Sequence, residues 1–161
     1  MIQLPPLPPL LRDAALLPLR ILPRTLQSRI LAVAVNRALA GTDTKERFGF
    51  LNGRVVEVDV PDARCAWRLR IDEGAVTAAP HGAVPDVTIR ASLGDFAALA
   101  ARRVDPDTLF FQRRLVMLGD TDLGLEVKNT LDAVDPGKLP AWARTIAETA
   151  ADLLESDPAG V

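Results

Sequence analysis

The sequence predicts an α+β domain in which helices cover one face of a five-stranded, mainly antiparallel sheet. Between residues 54 and 91, four short segments alternate apolar and polar side chains, as strands with one buried and one solvated face do. Short turn sequences separate these segments, which favours an antiparallel meander. After Ser92 the apolar residues recur at helical spacing, so we expect helices to cover the apolar face of the sheet.

The first 40 residues differ from the rest of the chain. They contain five Arg and one Asp, a charge of +4, and because the whole chain carries −2, the remainder carries −6. They also contain six of the 13 Pro. We therefore divide the chain into a proline-rich, apolar and cationic arm (residues 1–24), a domain with flanking helices (25–155) and a tail (156–161).

The arm does not have the residue order of a secretory signal, because its apolar run precedes the first charge, Arg12, and is interrupted by prolines. Its leucines and arginines suit contact with an anionic membrane surface or a partner. The same side chains can instead cover the protein's own core. The residues predicted to make this contact are Leu16, Leu17, Leu19, Arg20, Ile21, Leu22 and Arg24.

The domain itself begins with a predicted helix over residues 25–40. Leu26, Ile30, Val33 and Ala34 recur there at helical spacing, and Gly41 ends the run. Four strands follow, and each pair of neighbours is joined by a short connection. Their predicted ranges are 54–60, 66–71, 75–79 and 86–91.

Helix-start signatures divide the second half of the chain. Ser92 with Asp95 three residues later predicts a helix that ends near Arg103, and Asp105 before Pro106 predicts a second, short one. A fifth strand is predicted over residues 115–118, before Gly119.

Two further helices complete the chain. Asp120 or Thr121 is expected to cap the first of them, which Pro136 stops. The second spans residues 141–154. The side chains that this last helix is expected to bury are Trp142, Ile146 and Leu153.

Few residues suit catalysis, and the sequence predicts no enzyme, no cofactor and no metal site. The only His, His81, lies in a turn sequence, and the only Cys, Cys65, has no second His to pair with. The carboxylates of Asp105 and Asp120 stand where helices begin, so capping accounts for them. The charge of −2 gives no support for nucleic-acid binding.

Large apolar side chains are more numerous around residues 96–127 than one thin two-layer core needs. They predict an apolar cavity for a long lipid, since such sites are mostly hydrophobic. The alternative is an ordinary solid core, which the residues taken alone favour. The predicted lipid-binding set is Trp67, Phe96, Leu99, Leu109, Phe110, Phe111, Leu115, Met117, Leu123 and Val127.

One stretch of the chain resembles a known family. Residues 105–129, which read DPDTLFFQRRLVMLGDTDLGLEVKN, are similar to the signature stretch of sterol-carrier-protein-2-like (SCP2) domains. Within that family the chain is most similar to the accessory factors of bacterial anaerobic ubiquinone biosynthesis. The resemblance spans roughly residues 25–150. It departs from that subgroup at Met117 and Leu118, where an acidic residue is expected before Gly119.

The resemblance implies a non-catalytic, lipid-binding protein with the fold predicted above. Members of this subgroup bind the polyprenyl tail of ubiquinone precursors and act with oxygen-independent, iron–sulfur hydroxylases of the U32 peptidase-like family. The residue order of the arm and the lack of a long uncharged apolar stretch predict a cytoplasmic protein, peripheral at the inner face of the membrane. Two alternatives stay open: a general carrier of phospholipids or fatty-acyl chains, and a scaffold whose apolar residues form a solid core.

Overall fold

The computed structural model describes residues 22–41 and 49–155. Every predicted helix and strand that lies in these ranges is present, and the predicted and observed ends differ by at most about three residues. In chain order the elements are α1 (Arg24–Ala38), β1 (Val55–Val60), β2 (Cys65–Asp72), β3 (Ala75–Ala78), β4 (Val87–Arg90), α2 (Leu93–Ala100), α3 (Pro106–Phe111), β5 (Val116–Gly119), α4 (Thr121–Asp132) and α5 (Ala141–Glu155).

The five strands form one sheet in the order β3-β2-β1-β4-β5. All neighbouring strands are antiparallel except β1 and β4, which are parallel. The predicted meander is therefore correct for β1 to β3 and wrong for β4. Residues 79–86 carry the chain from β3 to the far side of β1, and Arg68 Nη1 of β2 holds this connection by donating to the Ala83 carbonyl at 2.9 Å. A short connection does not reveal which edge of the sheet the next strand joins.

The sheet has one charged and one apolar face, as the alternation predicts. On the charged face Arg68 Nε contacts Glu57 Oε2 at 2.7 Å, and Arg90 Nε contacts Asp59 Oδ2 at 2.7 Å. Such exposed pairs contribute about 0–1 kcal/mol each. The opposite face supplies the core of the molecule, and its buried strand residues are Val56, Leu69, Ile71, Val76, Val87 and Ile89.

The helices begin where the sequence predicts. Ser92 Oγ accepts from the Asp95 amide at 3.1 Å and thereby caps α2. Asp105 caps α3, and Asp120 caps α4 by accepting from the amides of Asp122 and Leu123 at 3.0 and 3.1 Å. These bonds satisfy amides that a helix otherwise leaves without partners.

Helix α1 packs against β3 and β2 with a face that hydropathy does not identify. Of the four residues that predict the helix, Leu26, Ile30 and Val33 are exposed and only Ala34 is buried. The other buried residues of the helix are Gln27, Ser28, Ala32 and Ala38. Small side chains allow the helix axis to approach the sheet closely. The helix is therefore confirmed, but its largest apolar side chains face away from the sheet.

The last helix, α5, packs against α2, and it also differs from expectation. Trp142 and Ile146 are exposed, so their predicted burial is wrong, whereas Ala147 and Ala151 are buried. The side chain of Leu153 lies outside those that the structure describes. Within the described ranges, none of the helices combines the length and apolar character needed to span a bilayer.

Candidate lipid-binding site

The ten predicted lipid-binding side chains fall into three groups by burial. Four are buried in the core, four are half-buried, and two are exposed. Phe110 is 43% exposed and Phe111 is 80% exposed, so these rings lie on the surface and not around an enclosed space. The buried four are Leu109, Leu115, Leu123 and Val127, and the half-buried four are Trp67, Phe96, Leu99 and Met117.

The turn after α3 explains why neighbouring residues differ so much in burial. The amides of Arg114 and Leu115 both donate to the Leu109 carbonyl, at 2.9 and 3.1 Å. Leu109 and Leu115 are almost completely inaccessible, so the turn is anchored in the core on both sides. The residues between these two anchors are directed outward.

An ion pair holds the same turn against the start of α2. Arg114 Nη2 contacts Asp95 Oδ1, and the side chain of Asp95 is only 8% exposed. Ser92 Oγ also donates to the second carboxylate oxygen of Asp95 at 2.8 Å. A buried carboxylate requires partners of this kind. This pair therefore positions the segment that carries Phe110 and Phe111.

Phe110, Phe111 and Arg113 form an exposed group that we call the aromatic tip. The two rings meet edge to face, with centroids 5.9 Å apart and an interplanar angle of 75°. Arg113 has a φ of 59°, in the left-handed region that non-glycine residues rarely adopt. The tip presents aromatic surface beside an exposed guanidinium group.

Helix α4 covers the part of the sheet beside the tip. It lies against β4 and β5, and Leu123 and Val127 point into the core. A Cβ added at Gly124 would lie 3.5 Å from Met117 Cβ, so the absence of a side chain there allows the helix to approach β5 closely. The half-buried Met117 therefore lies between the core and α4.

Trp67, one of the two half-buried rings of the set, joins α1 to the sheet. Its Nε1 donates to Gln27 Oε1 at 2.7 Å, and Gln27 Nε2 donates to the Leu22 carbonyl at 2.7 Å. Hydropathy patterning does not predict the burial of Gln27, because a polar residue in a helix is normally assigned to the solvent-exposed side. Its indole partner lies 40 residues along the chain.

The predicted membrane or partner contact lies mostly outside the described residues. Leu16, Leu17, Leu19, Arg20 and Ile21 belong to that undescribed segment, whereas Leu22 and Arg24 are both exposed. The contact itself stays a prediction.

The carboxylates of Asp105 and Asp86 both have structural partners. Thr108 donates to Asp105 through its hydroxyl at 2.6 Å and its amide at 2.8 Å, and these bonds lower the pKa of Asp105. The Val55 amide donates to Asp86 at 2.8 Å and, with Arg54, lowers the pKa of Asp86 although partial burial opposes this. In the described part of the chain, no group of three or more His, Cys, Asp or Glu is arranged to hold a metal.

Known proteins resemble this chain in both sequence and fold. Residues 35–132 match the model of the SCP-2 sterol transfer family. The ubiquinone biosynthesis accessory factor UbiT of Escherichia coli strain K12 is 34% identical over 139 residues, which span 86% of this chain and 79% of that protein. The solved structure of a UbiJ-SCP2 ubiquinone synthesis protein has a TM-score of 0.54 at 18% identity, covering 66% of this chain and 94% of that one.

Proposed function

Because the chain belongs to the SCP-2 sterol transfer family, we propose that it is a non-catalytic lipid-binding factor of ubiquinone biosynthesis. It binds the polyprenyl tail of ubiquinone precursors and presents them to oxygen-independent hydroxylases of the U32 peptidase-like, iron–sulfur class. The observation that carries this proposal is the identity to the accessory factor UbiT over most of both chains. The protein works in the cytoplasm, peripheral at the inner face of the membrane.

A polyprenyl tail leaves a bilayer only if other apolar surface replaces the lipid around it. Each CH₂ group that is removed from water contributes about 0.8 kcal/mol, so a long tail needs extensive contact. The aromatic tip offers such surface directly, and Phe96 and Met117 lie half-buried against the core. We propose that the tail binds along the tip and reaches towards these side chains.

The first experiment is mass spectrometry of organic extracts from the purified protein, with a mock purification as control. Enrichment of prenylated quinone precursors supports the proposal. Enrichment of phospholipid alone contradicts the quinone assignment and favours a general lipid carrier. Absence of any lipid, together with no binding of added quinone in a titration, contradicts the lipid-binding role and favours a scaffold.

Substitutions then test the aromatic tip. We expect Phe111→Ala and Phe110→Ala to reduce lipid capture severalfold while the melting temperature stays nearly unchanged, because both rings are exposed. The matched control is Val84→Ala, which shortens an exposed apolar side chain elsewhere. Leu109→Ala removes a fully buried side chain and should cost about 2–5 kcal/mol of stability. Unchanged lipid capture by both Phe variants would remove the tip from the site.

A further inference from the structure

The two edges of the sheet differ in how their backbone groups are covered. Strands β3 and β5 are the outermost strands. At β3 the side-chain amide of Asn36 binds both backbone groups of Val76, at 2.7 and 2.8 Å. In the described part of the chain, neither a further strand nor a side chain binds the outer side of β5. Because an unpaired strand edge readily pairs with another extended segment, β5 is the edge that is open to a partner.

The pairing of β5 with β4 determines which of its backbone groups point outward. The Asp120 amide, directly after β5, donates to the Asp86 carbonyl at 3.2 Å, so Asp120 faces β4. In an antiparallel ladder, successive residues direct their backbone groups to alternate sides of the strand. Leu118 therefore also faces β4, whereas the amide and carbonyl groups of Met117 and Gly119 point away from the sheet.

The side chain of Leu118 is exposed on the charged face of the sheet. Leu118 lies opposite Thr88, whose hydroxyl donates to Glu57 of that face at 3.5 Å. It is 42% exposed, whereas its neighbour Met117 points to the other face, towards α4. A large aliphatic side chain at an open edge gains free energy when a second strand covers it. This edge therefore offers both unpaired backbone groups and apolar surface.

The charges that flank β5 have opposite signs at its two ends. Arg113 and Arg114 precede the strand, and Asp120 and Asp122 follow it. Arg113 and Asp122 are exposed, and neither forms an ion pair with another described residue. When two identical strands pair antiparallel, the start of each lies beside the end of the other, so these opposite charges meet. The segment is therefore complementary in charge to an antiparallel copy of itself.

We propose that β5 pairs antiparallel with β5 of a second copy of this chain, across a two-fold axis at Leu118. The Leu118 side chains of the two copies then contact each other, and Met117 of each copy faces Gly119 of the other. Hydrogen bonds run in both directions between these backbone groups, and Arg113 of each copy lies near Asp122 of the other. The proposal goes beyond the proposed function and does not depend on it, because no lipid takes part in the pairing.

The first test is sedimentation equilibrium of the full-length protein over a range of concentrations. We expect a dimer that dissociates on dilution. Leu118→Lys places two like charges opposite each other at the two-fold axis, and it should raise the dimer dissociation constant about tenfold. The matched control is Thr77→Lys, which adds the same charge at an exposed position on the same face of the other edge strand. The control should leave the dissociation constant unchanged, and both variants should keep the melting temperature of the unsubstituted monomer.

A charge exchange tests the antiparallel orientation. Arg113→Glu should weaken the dimer severalfold, because it places a carboxylate near Asp122 of the other copy. Arg113→Glu/Asp122→Arg should restore the dimer, since the two opposite charges have then changed places. The matched control is Arg64→Glu, at an exposed arginine whose φ of 53° is close to the 59° of Arg113. The control should dimerise as the unsubstituted protein does, and failure of the double variant to restore the dimer would overturn the proposed orientation.

Disulfide cross-linking tests the register of the two strands. Facing residues of a non-hydrogen-bonded antiparallel pair have Cα atoms about 4.5 Å apart, which a disulfide can bridge. Cys65→Ser/Leu118→Cys should therefore form covalent dimers on mild oxidation, whereas Cys65→Ser/Thr77→Cys should stay monomeric under the same conditions. Three results would overturn the proposal: a monomer at every concentration, a dimer that Leu118→Lys leaves intact, and equal cross-linking through both cysteine positions.

Discussion

The side-chain amide of Asn36 in α1 forms two hydrogen bonds with the backbone of Val76 in β3. Asn36 Nδ2 donates to the Val76 carbonyl at 2.7 Å, and the Val76 amide donates to Asn36 Oδ1 at 2.8 Å. Strand β3 is at the edge of the sheet, where outward-facing backbone groups have no neighbouring strand. Asn36 takes the place of that strand at one residue and attaches α1 to the sheet edge.

Asn36→Ala should lower the free energy of unfolding by about 1–3 kcal/mol, because two partly buried hydrogen bonds are lost together. Chemical denaturation measures the change. The control is Asn129→Ala, at an exposed position of α4, where alanine should be neutral or slightly stabilising. Equal stability of the Asn36 variant and the unsubstituted protein would show that water replaces the amide at the edge of β3.

Gly119→Ala should destabilise the protein more than Gly82→Ala does. Both glycines have positive φ, 99° and 82°, so an alanine is strained at either position. A Cβ at Gly119 would also lie 2.5 Å from the Asp86 carbonyl oxygen, whereas nothing lies within 4 Å of one at Gly82. We expect Gly82→Ala to cost about 1–2 kcal/mol and Gly119→Ala clearly more. Equal melting temperatures for the two variants would contradict the close approach of β5 to Asp86.

Asp86 should make stability depend on pH in the acid range. Hydrogen bonds from the Val55 amide and Arg54 lower its pKa in the folded protein below the ordinary value of 3.8. The unfolded chain therefore binds the proton more readily, and the stabilisation is present above the unfolded pKa and lost as pH falls through the folded pKa. Asp86→Asn should lower the free energy of unfolding near neutral pH. The expected loss is at most about 1 kcal/mol, because the ion pair with Arg54 is partly exposed.

The difference in the free energy of unfolding between the Asp86→Asn variant and the unsubstituted protein should shrink below about pH 4. It should vanish once the carboxyl group is protonated. Urea denaturation at neutral and at acid pH measures it. Asp132→Asn is the control, because Asp132 is exposed and forms no ion pair with another described residue. A difference that stays constant between the two pH values would show that the carboxylate charge of Asp86 does not stabilise the fold.

Most of the secondary structure can be predicted from the sequence, because the signals for it are local. Period-two alternation predicts β1 and β2, and Ser92, Asp105 and Asp120 cap helices through bonds to amides two or three residues away. The resemblance at residues 105–129 led to the correct family. Each of these inferences depends on a short segment.

Packing between distant segments determines which side of each helix is buried and where β4 joins the sheet. In α1 the aliphatic stripe predicts a helix but faces solvent, because small residues, Gln27 and Asn36 fit the sheet and find partners on Trp67 and Val76. Both partners lie 40 residues away in the sequence. At the turn after α3, two buried leucines direct Phe110 and Phe111 outward. Hydropathy records how apolar a side chain is, whereas packing between distant segments decides what it contacts.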